Sequence, residues 1–346
     1  MRKKIGLLLA LVLVAAGTMA CRDTRTLDLG GGTPHLKIVV GGLEKVIYLP
    51  AMLTQQLGGF KQQGLDVELL GDTSGASAET ALISGEVQGV VGFYDHTIDL
   101  QAKDQCITSV VQMANIPGEA EVISTKKAGE VRSAADFRGR KLGVTSLGSS
   151  TDFLTKALAA KDGVSSSDYT PVKVGAGQTF IAPLTRGEID AGMTTDPTIA
   201  QLTTTGQGKV LYDLRTEQGT RAALGGLYPS TSLYMSCEIV NRYPEVVQKL
   251  ANAFIGSLRW ISAHRPEEIA AKMPQSFAGG NPELYVKSIK DSIGMFNADG
   301  KMDPAAAQNA LRVLASFSKN VAPRKDRIAL DKTYTTKFAD AAATKP

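Results

Sequence analysis

Short apolar segments alternate with helical segments along most of this chain, and this alternation restricts its fold more than any other feature. Residues 36–40, 65–70 and 89–93 each have the length and composition of a strand, and turn residues or a helical segment follow each one. The same order returns after residue 122. Strands that alternate with helices form mostly parallel sheets covered by helices on both faces. The sequence therefore predicts an α/β protein with two such units.

Prolines and capping residues mark the starts of several predicted helices. Pro50 and Pro244 suit the first helical position, and Asn281 and Asp303 each stand before a proline as a capping residue does. The segment after Pro244 has apolar residues at spacings of three and four, which is typical of a helix with one buried face. After about residue 232 the chain is therefore expected to be mainly helical.

The first twenty residues have the pattern of a secretion signal. Arg2, Lys3 and Lys4 precede an apolar run from Ile5 to Ala16, which is shorter than the roughly 20 residues that span a bilayer. We therefore predict that residues 1–20 are a signal peptide and that the protein is exported to the periplasm or the outer face of the cytoplasmic membrane. Removing three basic residues and no acid lowers the formal net charge from +4 to +1, which gives no reason to expect a nucleic-acid partner.

Cys21 stands where a bacterial lipoprotein carries its lipidated cysteine. Ala20 fits that pattern, whereas Thr18 and Met19 depart from it and would also suit an ordinary signal peptidase. Residues 21–33 include Gly30, Gly31 and Gly32 and read as a flexible tether, which favours an anchor. The prediction is a lipid anchor at Cys21 as the sole membrane contact, and a soluble periplasmic form is the alternative.

The two remaining cysteines, Cys106 and Cys237, each lie in an apolar, strand-like stretch. In an oxidising compartment they could form a disulfide, and two buried free thiols are an equal alternative. His35, His96 and His264 stand apart from one another and from both cysteines. The spacing therefore predicts no metal site.

Several segments occur in the order found in one known family, and each is unspecific alone. The first three segments stand before the first helix, after it, and before the third strand. The others belong to the second unit of strands and helices. In chain order the segments are residues 47–50, 58–67, 81–87, 137–151, 187–192 and 196–197. On these segments the chain resembles the substrate-binding proteins of bacterial ABC importers, of the nitrate/sulfonate/taurine type with the type II periplasmic-binding fold.

The resemblance implies a two-lobe type II fold in which each lobe is a mostly parallel sheet flanked by helices. Lobe 1 would be residues 34–122 plus 228–346, and lobe 2 would be residues 123–227. The two hinge crossings are expected at residues 121–125 and 232–236. The resemblance also implies a monomer whose partners are a small-molecule ligand, an ABC permease and its ATPase, with no cofactor.

The strongest candidate for ligand binding is Ser149, Ser150 and Thr151, which follow Gly148 at a predicted strand-to-helix turn. A helix start has unpaired N–H groups and a partial positive charge, so it can hold an acidic oxygen. Serine is also a common helix cap, and a purely structural role is an equal reading on sequence alone. Ser74 and Gly75 form a second, weaker candidate of the same kind.

Aromatic and acidic residues occupy the other loops that the resemblance places at the cleft. A binding cleft needs ring faces and a few placed polar groups. Acids near a bound anion would repel it, so a carboxylate pointing into the cleft would favour a zwitterion or an amine-bearing ligand. Lys45 is the only cation in the same loops. The ligand-binding candidates from this group are Glu44, Tyr48, Tyr94, Asp95, Asp196 and Tyr228.

The predicted function is to capture a small organic anion or zwitterion, of the sulfonate, taurine or aromatic-carboxylate class, and to deliver it to a permease. The alternative is binding of a thiamine pyrimidine precursor or another aminopyrimidine. A ligand sensor and an enzyme are further alternatives. The sequence has no Gly-x-Ser-x-Gly elbow, His-Glu-x-x-His motif or P-loop, so we assign no catalytic residue.

Overall fold

The computed structural model describes residue 27 and residues 32–343 of the 346-residue chain. The predicted signal peptide, Cys21 and nearly all of the tether lie outside the described residues. Among the helices of the described part, none combines the length and the apolar character needed to cross a membrane.

Strands and helices alternate through the first two thirds of the described chain, and helices dominate the rest, as the sequence predicts. The strands are β1 (His35–Val40), β2 (Asp66–Gly71), β3 (Gly89–Phe93), β4 (Ile107–Gln112), β5 (Glu119–Ser124), β6 (Lys141–Val144), β7 (Thr170–Lys173), β8 (Ala191–Thr195), β9 (Gly208–Asp213) and β10 (Thr231–Ser236). The helices are α1 (Leu49–Gln56), α2 (Gly59–Gln62), α3 (Gly75–Ile83), α4 (Asp95–Gln101), α5 (Ser150–Lys161), α6 (Gln178–Arg186), α7 (Thr198–Thr204), α8 (Glu217–Leu224), α9 (Cys237–Arg242), α10 (Pro244–Ala263), α11 (Pro266–Ala270), α12 (Pro282–Ser292), α13 (Pro304–Ala315) and α14 (Lys337–Ala343).

The strands form two five-stranded sheets. In the first sheet the order is β2–β1–β3–β10–β4, and β1 runs parallel to both β2 and β3. In the second sheet the order is β7–β6–β8–β5–β9, and β6 runs parallel to β7 and β8. One strand in each sheet, β10 or β5, runs antiparallel to both of its neighbours. The predicted two-sheet α/β architecture is confirmed.

We call the elements around the first sheet the first lobe and those around the second sheet the second lobe. The chain passes between the sheets through residues 113–118 and returns through residues 214–230. The expected hinge segments 121–125 and 232–236 lie just after these passages, mainly within β5 and β10. The exact division of the chain into lobes stays a prediction.

Helix α10 shows how local sequence signals build the core. Pro244 occupies its first turn, and its predicted apolar face is buried against the rest of the first lobe. The rings of Phe254 and Phe60 meet edge to face with centroids 5.4 Å apart. Burying one such side chain stabilises the fold by about 1.5–3 kcal/mol. The buried residues of the predicted face are Val246, Val247, Leu250, Phe254, Leu258 and Ile261.

A disulfide joins Cys106, just before β4, to Cys237, at the start of α9. The two sulfur atoms lie 1.98 Å apart, and 131 positions separate the two residues in the sequence. Strands β4 and β10 are neighbours in the first sheet, with Ile107 opposite Ser236, so the pairing brings the cysteines together. The bond therefore closes a loop that contains the whole second sheet.

Candidate functional site

The N-termini of α3, α4 and α5 converge between the two lobes. Each helix follows a strand of a parallel pair, and the carboxyl ends of such strands are where open α/β sheets bind ligands. A Cβ placed on Gly148, before α5, would lie 4.0 Å from the Cβ of Ala76 in α3. The ring of Phe153 in α5 lies 5.6 Å from the ring of His96 in α4. The convergence brings polar groups of both lobes into one buried cluster.

Two carboxyl groups from opposite lobes lie at the centre of this cluster. Asp95 begins α4 in the first lobe and is fully buried, and Glu119 begins β5 in the second lobe and is 1% exposed. Tyr228 donates a 2.7 Å hydrogen bond to Oδ2 of Asp95, and Ser150 donates a 3.1 Å hydrogen bond to Oε1 of Glu119. The other oxygens, Asp95 Oδ1 and Glu119 Oε2, have no hydrogen-bond partner among the described residues.

Burial controls the ionisation of both carboxyl groups. It raises the pKa of Asp95 to about 6, although the charge of His96 and the hydrogen bond from Tyr228 oppose the shift. Burial raises the pKa of Glu119 to about 8, against the hydrogen bond from Ser150. The nearby charge of Asp95 raises the pKa of Glu119 further. Because a buried charge is costly without a partner, the two free oxygens would accept a donor or a cation.

Two phenols enclose the carboxyl groups. Tyr48 is 2% exposed and Tyr228 is fully buried. Burial raises the pKa of each phenol, and the charges of both Asp95 and Glu119 raise it further, so each ring lies near both carboxyl groups. A Cβ at Gly41 would come within 3.1 Å of the Tyr48 hydroxyl, so a glycine there gives the ring room. The rings supply the apolar walls that a small-molecule site needs.

His96 forms the side of the cluster toward α3. Its Nδ1 contacts Oε1 of Glu79, and a Cβ at Gly75 would lie 2.7 Å from its Nε2. Burial alone would lower the pKa of His96, but the charges of Glu79 and Asp95 outweigh it and raise the pKa to about 9. The imidazolium is therefore charged at neutral pH and is matched by Glu79.

Lys45 is the second buried cation of the cluster, at 6% exposure. Its Nζ donates to the carbonyl of Gly41 at 2.6 Å and to that of Thr73 at 3.3 Å. Burial lowers its pKa, and the charges of Glu44, Glu119 and Asp72 work in the opposite direction. Lys45 thus holds two loops together and lies close enough to Glu119 to affect its charge.

The predicted serine site lies at the cluster, but its hydroxyls are engaged within the second lobe. Ser149 donates to the carbonyl of Ser146 at 2.7 Å, and Thr151 Oγ1 accepts from the backbone N–H of Thr145 at 2.9 Å. Ser150 is bonded to Glu119, so the positive end of α5 faces a carboxyl group of the protein itself. A bound anion would therefore compete with Glu119 at this helix end.

Ser74 and Gly75 lie on the opposite side of the cluster, at the start of α3. The Ser74 hydroxyl caps that helix by accepting from the backbone N–H of Ser77 at 3.3 Å. Gly75 packs against His96, where a side chain would collide with the imidazole. Both residues support the position of His96, and their role in ligand contact stays a prediction.

The structure places two predicted ligand residues, Tyr94 and Glu44, away from the buried cluster. Tyr94 points into the first lobe, where its hydroxyl bonds Thr333 Oγ1 at 2.6 Å and its ring meets Tyr334. It follows a strand whose side chains alternate between faces, so Tyr94 and Asp95 point in different directions. Glu44 is exposed.

Asp196 is buried between the lobes but already has partners. Its Oδ2 accepts from Arg215 Nη1 and from the Ser292 hydroxyl, both at 3.0 Å, and its Oδ1 accepts from the backbone N–H of Ala200. Its backbone carbonyl accepts a 3.1 Å bond from the N–H of Val46 in the first lobe. Asp196 therefore joins parts of the protein, three hydrogen bonds already engage its two oxygens, and its role in ligand contact stays a prediction.

Sequence reasoning missed Glu119, Glu79 and the part played by His96. Glu119 and Glu121 stand at alternate positions of an otherwise apolar strand, which places two acids on one face of it. This pattern was the available signal for buried acids. The position of Glu119 near Asp95 depends on the pairing of β5 with β8, which no local pattern reveals.

A groove of about 600 Å³ opens between the lobes beside the cluster. Glu79 and Phe153, which both contact His96, form part of its wall. Leu147 of the second lobe, 57% exposed, and Ile83 of the first lobe, 37% exposed, lie at the same groove. Within the described residues, no group of three or more His, Cys, Asp or Glu side chains could hold a metal ion.

Solved structures share this architecture. A structure from Bordetella bronchiseptica is 32% identical, with a TM-score of 0.85 over 89% of this chain and 96% of that chain. The alkanesulfonate-binding protein SsuA from Xanthomonas axonopodis pv. citri, bound to MOPS, is 16% identical, with a TM-score of 0.67 over 89% of this chain and 97% of that chain. The periplasmic nitrate-binding protein NrtA from Synechocystis is 15% identical, with a TM-score of 0.65 over 89% of this chain and 88% of that chain. The fold is that of periplasmic binding proteins.

Sequence comparison points to the same fold through a different group of proteins. The 4-amino-5-hydroxymethyl-2-methylpyrimidine phosphate synthase of Schizosaccharomyces pombe is 29% identical over 147 residues, which are 42% of this chain and 40% of that protein. The chain thus matches about two fifths of the length of such curated relatives. The model of the family described as NMT1/THI5 like matches residues 48–269. This match covers more than half of the chain and every strand except β1, and the protein belongs to the NMT1/THI5-like family.

Proposed function

We propose that this protein is the exported substrate-binding protein of an ABC importer, which encloses a small polar organic solute between its lobes and delivers it to a permease. One observation carries the proposal. Asp95 and Glu119 come from opposite lobes, and each presents a buried oxygen without a hydrogen-bond partner among the described residues. A solute bridging them would complete the hydrogen bonding of the site, as buried polar groups require.

Hinge closure is the mechanism that this arrangement supports. Each lobe alone offers about half of the contacts, so a solute held by one lobe favours the state in which the other lobe closes on it. The permease would then distinguish the closed form from the open one. Structural relatives that include periplasmic binding proteins support this role and export. A lipid anchor at Cys21 remains part of the proposal.

The chemistry of the cluster favours a zwitterion over a simple anion. Glu119 already occupies the positive end of α5, and Asp95 has no cation bonded to it other than its neighbour His96. An anion alone would add negative charge beside buried carboxyl groups. A taurine-like solute would bring an ammonium group to the carboxyl groups and its acidic end to the Ser150 side of the cluster.

An aminopyrimidine is the second candidate ligand. Amino groups and protonated ring nitrogens donate to carboxylates, and the rings of Tyr48 and Tyr228 lie near both carboxyl groups. Curated relatives are named as pyrimidine phosphate synthases, which supports this class although they match only part of the chain. We propose binding without chemical change, and mass spectrometry of the bound solute after incubation tests this point.

The deciding experiment is a thermal-shift panel of the mature protein with taurine, isethionate, nitrate, benzoate and 4-amino-5-hydroxymethyl-2-methylpyrimidine. A ligand at 100 times its dissociation constant stabilises the folded state by about 2.7 kcal/mol, which is readily measured. Small-angle scattering with the best solute should show compaction. A solute that binds tightly without compaction, or emerges chemically altered, would contradict the proposal.

A further inference from the structure

We infer that closure of the lobes requires one positive charge between Asp95 and Glu119, and that a proton supplies it when no nitrogen cation of a ligand is present. The inference rests on the proposed function in assuming that the lobes open and close. Beyond the proposed function, Glu119 on the second lobe would select solutes that carry a positive charge. It also predicts that the empty protein closes in acid.

The structure places the two carboxyl groups in one buried cluster between the lobes, and we take this arrangement to be the closed form. Asp95 belongs to the first lobe and Glu119 to the second, and both are almost completely shielded from solvent. Tyr48 and Tyr228 each lie near both carboxyl groups, and each carboxyl group has one free oxygen. Separating the lobes would move Glu119 away from Asp95 and let water reach both.

The charges around the pair leave it one positive charge short. Among the described residues, the fully ionised cluster would contain three buried carboxylates and two buried cations. The carboxylates are Asp95, Glu119 and Glu79, and the cations are His96 and Lys45. His96 contacts Glu79 and also lies 3.8 Å from Asp95 Oδ1, so two carboxylates share its single charge. Lys45 is bonded to two backbone carbonyls and lies near Glu119. Asp99, farther along α4, is paired with Lys103 at 2.6 Å. The groups that face the pair are Glu79, His96 and Asp99 from α3 and α4, Lys45 with its neighbours Glu44 and Asp72, and the phenols of Tyr48, Tyr228 and Tyr234.

A proton can make up this deficit. In the closed form burial raises the pKa of Glu119 from its usual 4.5 to about 8, and that of Asp95 to about 6. In the open form water would solvate Glu119 and bring its pKa back toward the usual value. The closed form therefore binds a proton more tightly than the open form. As the pH rises from about 6 to about 8, the ratio of closed to open protein should fall up to tenfold per pH unit.

The test is small-angle scattering of the ligand-free mature protein at pH 5 and pH 8.5. We expect the wild type to be compact at pH 5 and to expand at pH 8.5. Glu119→Gln removes the second charge at nearly constant shape, so this variant should stay compact at both values. Asp95→Asn serves the same purpose and keeps an acceptor for Tyr228, so it replaces Glu119→Gln if that variant does not fold.

Glu121→Gln is the matched control. Glu121 is also fully buried, lies two residues further along β5, and has a pKa raised by burial to about 8. Its carboxyl accepts from Thr155, and the phenols whose pKa its charge raises, Tyr169 and Tyr212, also belong to the second lobe. This variant should expand with pH as the wild type does.

The inference is overturned if the wild-type radius does not change with pH, or if Glu119→Gln expands as much as the wild type. The measurement uses no ligand, so its outcome is independent of the thermal-shift panel. Failure of the panel would remove the proposed transport role while leaving the pH result to stand or fall separately.

Discussion

The hydroxyl of Tyr228 donates a 2.7 Å hydrogen bond to Oδ2 of Asp95, a residue 133 positions earlier in the chain. Tyr228 lies on the passage that returns from the second sheet to the first, and Asp95 begins α4. The bond therefore links this passage to the buried cluster between the lobes. The other oxygen of Asp95 lies 3.8 Å from His96 Nδ1 and has no hydrogen-bond partner among the described residues.

Tyr228→Phe should weaken both stability and ligand binding. The hydrogen bond from Tyr228 lowers the pKa of Asp95, so its loss should raise that pKa above about 6. We expect the free energy of unfolding to fall by about 1–3 kcal/mol, as for a lost bond to a charged group. Urea titration and isothermal calorimetry with the best solute of the panel would measure the two effects. Tyr94→Phe is the control, because it loses only a bond within the first lobe and should leave affinity unchanged.

Ser150→Ala should reduce the affinity for a nitrogen cation, whereas Ser149→Ala should not. Ser150 donates to Glu119 and lowers its pKa, so the variant holds the proton on Glu119 more firmly. Ser149 donates to the carbonyl of Ser146 and does not reach Glu119 in the structure. Calorimetry at pH 7 compares the two variants, and equal losses of affinity would contradict the role given to Ser150.

Arg215→Ala should destabilise the protein strongly. Arg215 pairs with Asp196 at 3.0 Å and Asp213 at 2.8 Å, and Asp196 is fully buried. Removing one partner of a buried pair leaves an uncompensated charge and costs about 3–5 kcal/mol. Arg221→Ala provides the comparison, because its ion pair with Glu217 is exposed and should cost less than about 1 kcal/mol. Chemical denaturation that gave both variants the same loss would contradict this assignment.

Reducing the Cys106–Cys237 bond should lower stability without changing the fold. The bond closes a loop between residues 131 positions apart, and in the chain-entropy account a loop of this size contributes about 4–5 kcal/mol. Thermal unfolding with and without a reductant would measure the difference. A Cys106→Ala, Cys237→Ala variant should match the reduced protein, and an unchanged midpoint in both cases would show that the thiols are not paired.

Glu121→Gln should alter how stability depends on pH. Burial raises the pKa of Glu121 in the folded protein from its usual 4.5 to about 8, against the hydrogen bond from Thr155. A group with a raised folded-state pKa stabilises the fold below its unfolded pKa, and this contribution is lost as the pH rises through about 8. The wild type should therefore lose more stability than the variant between pH 5 and pH 8.5. Urea midpoints at the two values test this, and parallel losses would contradict it.

Local signals in the sequence located the ends of elements well. The side chain of Asn281 accepts from the N–H of Leu284, and that of Asp303 accepts from the N–H of Ala305, as expected of capping residues. The serine turn before α5 also lies where the resemblance placed it. These features depend on neighbours within a few residues, so the sequence contains them directly.

The composition of the site was harder to predict because it depends on contacts between distant residues. Tyr94 and Tyr228 looked alike as aromatic residues in loops, yet one supports the first lobe and the other bonds the carboxyl of Asp95. The sequence does not single out Glu119, because it lies just before residues 121–125, which the resemblance assigns to a hinge crossing. Only the placement of β5 beside β8 brings its side chain to the face where Asp95 lies.

Strand β10 fills the position between β3 and β4 and pairs with both of them. Strand β10 follows every strand of the second sheet in the chain, so a nascent polypeptide that has not reached residue 231 leaves β3 and β4 without their shared neighbour. The unpaired backbone N–H and C=O groups at these two strand edges can pair with strands of other chains, which leads to aggregation. The first sheet therefore cannot be completed during synthesis until residues 231–236 are available, which is after about two thirds of the chain has been made. Until then, the N-terminal part of the protein needs protection from association with other chains.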